Sequence, residues 1–531
     1  MTTLYESCAA SYGRDDAALL QCVASSLEYS ISGATAAVDT VATEIATVVY
    51  DLDSLKDGLD IFFLIFAATV MFFMQAGFAM LCAGSVQSKN LQNTIMKNLL
   101  DACGSGLAFF AVGYAFAYGG TPHDTMEVYT HDPVETPITF IGTQNFFLMG
   151  MDNYSFWMYQ YAFAANAATI VAGTLAERCQ MTAYFLYSSF LTAFVYPIIA
   201  HAVWSGTGFL TPVRVNPLFG VGMVDFAGSG VVHVTGGFTA LIASKILGPR
   251  KGRFDEGKGV GMARRIEGNS SSLQALGCLI LWFGWYGFNC GSVHQASNAT
   301  LARIASLSAV TTTLGASAGA ISSLTVSAML ARRQTGEISY DLSDALNGCL
   351  AGLVSITAGC GMLEPWAAVL IGSIGGVVYL FVGALLIKFR IDDAVEAIPV
   401  HLGSGIWGVV SVGLFASPRR LAEIYGHSNH PGWFYSLTSG GSDATLLGAN
   451  IVGLLFIISW VLVTMLPFFL VLSYLGWFRT DSLEEIIGLD PDTHQSADSI
   501  TRQHLDILRK QINAREGFDE EEGRTPVNGE H

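Results

Sequence analysis

A helix that crosses the hydrocarbon core of a bilayer needs about 20 mostly apolar residues, because its backbone polar groups must be satisfied inside the segment. This chain of 531 residues offers eleven such stretches, at roughly 59–83, 98–119, 155–176, 181–204, 223–247, 270–290, 301–330, 343–362, 366–388, 394–416 and 445–478. Hydrophobic residues make up 51% of the chain and charged ones only 13%, the composition of an integral membrane protein. The expected fold is all-α, with eleven transmembrane helices in a body spanning 59–478, an N-terminal arm at 1–58 and a C-terminal tail at 479–531.

The connections give the body a direction. Lys89, Lys97, Arg178, the run from Arg250 to Arg265, Arg332, Arg333, Lys388, Arg390 and Arg479 fall on one side, against Arg214, Arg419 and Arg420 on the other. The basic side is expected to be cytoplasmic. An odd number of spans then leaves the N-terminus extracellular and the C-terminus cytoplasmic. No basic n-region followed by an uninterrupted apolar run opens the chain, so the first span is expected to carry targeting itself. Five spans precede the loop GPRKGRFDEGKGVGMARR and five follow it before the last, an arrangement in which the second five run inverted relative to the first. Inverted repeats of this kind place a site at their interface near the bilayer midplane.

The net charge of −17 comes largely from the ends: residues 1–60 hold ten acids against Arg14 and Lys56, and 479–531 hold thirteen acids against six bases. Acidic, solvated ends argue against nucleic acid or anionic lipid as the main partner. Seven of the nine cysteines lie in or beside spans as small apolar residues; Cys8 and Cys22 sit in the arm, where an extracellular setting permits a disulfide within or between subunits. No cysteine–histidine cluster suggests a metal, and no cofactor motif is present. The absence of a GxxxxGK[ST] loop argues against nucleotide-driven pumping; the absence of HExxH, GxSxG and paired catalytic acids argues against an enzyme.

Two histidines stand inside apolar segments, His233 in VDFAGSGVVHVTGGFTALIASKIL and His401 in DDAVEAIPVHLGSGIWGVVSVGLF, each eight residues after an aspartate, Asp225 and Asp393. An ionisable side chain at that depth is costly and marks a substrate, ion or proton path. Two neutral imidazoles edge to edge can pass a proton or accept hydrogen bonds from a small N–H ligand. A purely structural reading, each ring satisfied by neighbouring carbonyls, stands beside this one. The acids lie about two helical turns away, too far to be the histidines' own partners, so they are expected to fix helix ends or unwound backbone, or to act on a passing cation by charge.

A second constellation is aromatic. YQYAFAANAATIVAGTLAERC carries Phe163, YPIIAHAVWSGTG carries Trp204, and LWFGWYGFNCGS carries Trp285, Phe288 and Ser292. Rings at membrane interfaces are common anchors. A cation against desolvated rings nevertheless gains about 2 kcal/mol or more, and Ser292 adds a hydrogen-bond acceptor.

Over about residues 60–495 the chain resembles the ammonium transporter/methylammonium permease/Rh family, most closely its plant-type ammonium transporters. The resemblance is carried by MQAGFAMLCAGSVQSKN, YQYAFAANAATIVAGTLAER, DFAGSGVVHVTGG, WFGWYGFNCGS and VHLGSGIWG, five motifs in order. It implies a high-affinity-type carrier of ammonium or ammonia, with methylammonium as a further substrate, working as a homotrimer in the plasma membrane. By motif, Trp204, Phe163 and Ser292 would form an outer binding site, Phe163 and Phe288 a gate, and His233 and His401 the pore lining, flanked by Trp285. Asp225 would assist recruitment and deprotonation, with Asp393 as its counterpart in the second half. The tail RTDSLEEIIGLDPDTHQ resembles the family's regulatory segment, which packs on a neighbouring subunit. Where plant-type members carry a phosphorylatable threonine, this chain has Asp492, with Thr493 beside it; where they read HGGCG, it has Leu402 and Ser404 after His401. Two other readings stay open: an Rh-like electroneutral gas channel, and an ammonium-sensing transceptor signalling through residues 500–515.

Overall fold

In the computed structural model the described residues are 2–12, 16–30, 35–120, 137–254, 263–426 and 428–490. Their regular structure is helical, apart from two isolated β-bridges, Cys179 with Arg479 and Phe254 with Ala263. The first nine helices are α1 (Thr2–Tyr12), α2 (Asp16–Ser30), α3 (Thr35–Phe72), α4 (Met74–Ser85), α5 (Leu91–Ala108), α6 (Tyr114–Tyr118), α7 (Tyr154–Thr174), α8 (Met181–Phe190) and α9 (Tyr196–Trp204). Next come α10 (Thr235–Leu247), α11 (Ser271–Gly291), α12 (Ala299–Thr335), α13 (Leu342–Thr357), α14 (Pro365–Lys388) and α15 (Ser404–Phe415). The last four are α16 (Pro418–Tyr425), α17 (Trp433–Thr438), α18 (Thr445–Tyr474) and α19 (Ser482–Ile487).

Eight spans among the described residues are long and apolar enough to cross a membrane: 45–85, 88–118, 181–204, 229–247, 299–335, 365–388, 398–415 and 445–474. The other three expected spans coincide with α7, α11 and α13. Of these, α13 has only 16 residues, and α7 and α11 carry more polar and aromatic side chains. The reason is position: α7 buries 18 of its 21 residues, whereas only 28% of the most apolar stretch of α18 is buried within the protein. Helices facing neighbouring helices are released from the need to be uniformly apolar.

Small residues set the spacing of the bundle. At Gly319 an added Cβ would stand 2.3 Å from the carbonyl oxygen of Gly348, and at Gly352 2.2 Å from that of Gly315, so α12 and α13 are in backbone contact. Such closeness supplies the van der Waals contact that holds helices together in lipid.

The two histidine segments start later than expected. The helix read from 223 begins at Ser229, and the one read from 394 begins at Ile398; each opens with a π-helical turn, Ser229–Val234 and Ile398–Gly403, that contains the histidine. Backbone in the left-handed region interrupts the chain just before each, at Gly228 (φ 106°) and Glu396 (φ 59°). The segments cross closely: a Cβ on Gly237 would meet the backbone nitrogen of Leu402 at 2.5 Å, and one on Gly408 would meet Ser229 Oγ at 2.6 Å. Leu402 packs into this crossing, and the buried Ser404 Oγ has no hydrogen-bond partner among the described residues.

At the amino end Cys8 and Cys22 form a disulfide within one chain, tying α1 to α2, and α3 runs unbroken through residue 58 into the bundle. At the other end residues 479–490 fold back on their own chain. Asp490 accepts from the amides of Gln92 (3.0 Å) and Asn93 (2.8 Å) at the start of α5, and Lys89 Nζ donates to the carbonyl of Ile486 (2.6 Å). Asp492, Thr493 and the stretch 500–515 lie outside the described residues.

Candidate functional site: a passage between two recesses

Each half supplies an aspartate that ends a helix. Asp225 Oδ1 accepts from the amide of Gly228 (3.1 Å), and Oδ2 from those of Gly230 (2.9 Å) and Val231 (2.8 Å), the first amides of the His233 segment. Asp393 Oδ2 accepts from Ile398 (2.6 Å) and Oδ1 from Val395 (3.4 Å), ahead of His401. Amides at a helix start lack intrahelical partners, and a carboxylate satisfies them while complementing the helix dipole. Glycine is required at 228 twice over: its φ is left-handed, and a Cβ there would press on the Trp204 ring at 3.1 Å. Trp204 is itself held, its Nε1 donating to the Asp225 carbonyl at 2.7 Å.

The two π-turns bring the histidines together. His233 Nδ1 and His401 Nδ1 are 3.1 Å apart, with the rings nearly parallel at 9° and centroids at 5.1 Å. One nitrogen must donate and the other accept, so the pair shares a single N–H. His233 lies against Trp285 (5.2 Å) and Phe288 (5.5 Å), and Trp285 is fixed through its Nε1, which donates to Thr357 Oγ1 at 2.8 Å. His233 Nε2 is buried and has no hydrogen-bond partner among the described residues.

On the Phe288 side, Phe163 and Phe288 meet edge to face at 4.5 Å, and Phe163 reaches Trp204 at 5.2 Å. Beyond them lies a recess of about 530 Å³, open solvent included, lined by Trp204, Phe163, Ser292 and Asp225 among others. The buried Ser292 donates to the Phe288 carbonyl (3.0 Å) and lies 3.3 Å from Tyr159 Oη. Sequence reasoning missed the rest of this wall. His294, Gln160, Tyr118 and Phe156 also line it, and Tyr159, which donates to the Phe288 carbonyl at 2.8 Å, braces it from behind. Tyr159 and Gln160 sit in the YQYAF stretch already read for Phe163; nothing in the sequence marks His294.

On the other side His401 borders a second recess, of about 310 Å³, with Phe78, Cys82, Thr169, Asn347 and Val395. Asn347 and Val395 also border a third, of about 940 Å³, whose wall is charged: Arg250, Arg253, Arg265, Asp341, Asp344, Asp393 and Glu396. The structure thus joins the expected site residues in one run of contacts, from Trp204 through Phe163, Phe288 and His233 to His401, with Ser292, Asp225 and Trp285 beside it, while Asp393 lines the charged recess.

Beside that end, Asp392 anchors a buried ionic cluster. Arg250 grips it with Nε (2.7 Å) and Nη2 (3.0 Å) and also pairs with Glu177, Arg253 Nε lies at 3.2 Å, and Arg178 Nη2 donates to the Asp392 carbonyl at 2.7 Å. Burial alone would raise the Asp392 carboxyl; the Arg250 guanidinium outweighs it and holds the group well below the usual carboxylate range.

A pair of histidines and a set of packed rings inside a bundle of apolar helices, with a recess bordering His401 and another bordering Phe163, point to the class of membrane transport proteins. The model of the Ammonium Transporter Family matches residues 61–499, and the chain belongs to that family. It is 40% identical over 453 residues to ammonium transporter 1 member 3 of Solanum lycopersicum, covering 83% of this chain and 93% of that one. To ammonium transporter 3 of Dictyostelium discoideum it is 37% identical, covering 83% and 94%. Among solved structures it is similar to one named "Sensor Amt Protein" (TM-score 0.69, 30% identity, 83% of this chain and 99% of that one) and to Mep2 of Candida albicans (0.65, 26%, 83% and 88%).

Proposed function

We propose that the protein is a high-affinity-type ammonium transporter of the plasma membrane, a homotrimer with its N-terminus outside, that recruits ammonium at the Trp204 recess, removes a proton there and conducts ammonia past His233 and His401, with net transfer of the proton and its charge across the membrane. Burying an isolated ammonium costs tens of kcal/mol in the idealised limit, and ring contacts at about 2 kcal/mol each do not offset that. Ammonium therefore docks against Trp204, Phe163 and Ser292 and gives up its proton before the Phe163–Phe288 pair. The Asp225 carboxylate, with both oxygens held by amides, favours the cation by charge rather than by direct contact. Neutral ammonia then passes as N–H donor and lone-pair acceptor. Potassium, of similar size and charge, has no proton to surrender.

The observation that carries this reading is the His233–His401 pair: one shared N–H, and a buried His233 Nε2 that lacks a partner among the described residues, between the recess bordered by Phe163 and the recess bordered by His401. A nitrogen of that kind suits a small ligand that both donates and accepts. The test is ammonium-evoked current under voltage clamp for wild type and for His233→Ala/His401→Ala, with surface labelling to confirm delivery. A saturable current lost in the double variant is expected. If delivered wild type takes up ammonium without current, the electroneutral channel replaces this reading. A sensor, favoured by the likeness to the structure named "Sensor Amt Protein", replaces it if there is neither current nor uptake.

A further inference from the structure

The recess beside Phe163 holds one side chain that the docking proposed above does not use. His294 lies in its wall with Trp204, Phe163, Ser292 and Asp225, on the connection 292–298 between α11 and α12. That connection is fastened at both ends. On the α11 side Ser292 Oγ donates to the Phe288 carbonyl at 3.0 Å, and the His294 amide to the Gly291 carbonyl at 2.9 Å. On the α12 side the buried Asp60 of α3 accepts at Oδ1 from the amides of Ala296 (2.7 Å) and Ser297 (2.8 Å), and at Oδ2 from Ser297 Oγ (2.6 Å). Asn298 then caps α12, accepting from the amides of Thr300 (2.9 Å) and Leu301 (3.2 Å).

Between these fastenings His294 takes a left-handed backbone, φ 61°. A residue with a Cβ persists there only where its surroundings over-determine it, and such residues cluster at ligand sites. The ring makes T-shaped contacts with Phe156 (5.4 Å) and Tyr159 (5.7 Å), and Tyr159 also meets Phe163 at 5.0 Å. The imidazole is therefore set in the same aromatic wall as the Phe163–Phe288 pair. Burial against these rings pushes it down to about 4, so it is neutral at ordinary external pH. Elsewhere in the wall the bonds are internal: amides hold both Asp225 oxygens, Trp204 Nε1 donates to the Asp225 carbonyl, and Tyr118 donates to Gln160 Oε1 at 2.8 Å. Such a recess recognises a cation by ring faces and shared lone pairs, and a neutral imidazole adds one of each. A nitrogen lone pair suits an N–H donor, whereas potassium is coordinated by oxygens.

We infer that His294 is a substrate-recognition residue of this recess, held by the connection 292–298 with its neutral ring against the docked cation, where it accepts an ammonium N–H. A protonated ring repels the ion instead. The inference rests on the reading that ammonium docks in this recess, and adds a residue that separates ammonium from potassium at the docking step. The ionisable groups that face the ring are Asp225, Tyr118 and Tyr425 in the recess wall, Tyr159 against the ring and Asp60 at the foot of the connection. Phenols carry no charge on the acid side of neutrality. Acid acts on the carboxylates as well, so the difference between wild type and a neutral replacement of His294 isolates the imidazole.

The test is ¹⁵N-ammonium uptake against concentration, with and without potassium as competitor, for wild type, His294→Gly, His294→Asn and Trp204→Leu, each checked for surface delivery. Glycine removes the ring while permitting the left-handed backbone, and asparagine tolerates that backbone while keeping a neutral donor and acceptor. At neutral pH His294→Gly is expected to raise half-saturating ammonium severalfold with the maximal rate kept and to let potassium compete better, and His294→Asn to recover most of both. Near pH 4 half of the rings are charged, so half-saturation in wild type should rise about twofold more than in His294→Asn. That comparison serves if His294→Gly fails to reach the surface. Unchanged half-saturation in the His294 variants, with Trp204→Leu shifted, overturns this inference and leaves the docking reading standing. A lower maximal rate at unchanged half-saturation also overturns it, being what a structural role gives. If Trp204→Leu is unshifted too, both fall.

Discussion

The recess bounded by Trp204, Phe163 and Ser292 has a single carboxylate in its wall, Asp225, with both oxygens taken by backbone amides, whereas the recess at the other end is walled by three arginines and four acids. In the proposed function the first end, with rings and a restrained charge but no unbonded carboxylate oxygen in its wall, would concentrate a cation without trapping it. At the second end Arg265 pairs with Asp341 at 2.7 Å, and Arg250 and Arg253 are bound into the Asp392 cluster. Those charges hold backbone in place rather than wait for a substrate. On the proposed function, the contrast assigns selectivity to the aromatic end and the histidine pair, and architecture to the charged end.

Breaking the charged end should cost the most. Asp392→Ala leaves Arg178 buried without its anion and Arg250 with Glu177 alone, and removal of one member of a buried pair costs about 3–5 kcal/mol. Thermal unfolding of the purified protein should show a large drop, and a melting point near wild type would contradict the architectural role. Because folding depresses the Asp392 carboxyl, its contribution is present at neutral pH and fades as pH falls below the ordinary carboxylate range. Melting curves should therefore show wild type losing stability on acidification more steeply than Asp392→Asn.

At the aromatic end the effects should be smaller and fall on affinity. Trp204→Leu removes a ring contact worth about 1–2 kcal/mol, so half-saturating ammonium should rise roughly 5- to 30-fold with stability nearly kept. Ser292→Ala, losing one hydrogen-bonding oxygen worth about 1 kcal/mol, should raise it about fivefold. Concentration–current curves decide both; an unchanged midpoint in Trp204→Leu would move recruitment elsewhere. The smallest change is expected for Asp490→Ala. It loses a helix-start contact worth about 1 kcal/mol, and hydrogen exchange should show residues 479–490 opening faster with ammonium selectivity unaltered.

Much of this was legible in the sequence because lipid imposes a coarse, strong rule. Long apolar stretches can only be spans, and a histidine within one is conspicuous. Spacing excluded Asp225 and Asp393 as the histidines' own partners and left helix-ending as one of two roles open to them; the amide bonds at 228–231 and 395–398 show that role. The π-turns were not legible, since they arise where left-handed backbone at Gly228 and Glu396 feeds a helix that must turn its histidine toward the other half. His294 is held in the recess by a backbone in the left-handed region (φ 61°), a conformation its residue type does not announce.

In the proposed function a proton leaves before the substrate passes the histidine pair, and replacing ammonium by potassium in the same voltage-clamped membrane separates an ion that can lose a proton from one that cannot. Wild type is expected to show a saturable ammonium current and no potassium current at equal concentrations. A potassium current of comparable size and saturation would contradict it, because an ion with no proton to lose would then have crossed intact.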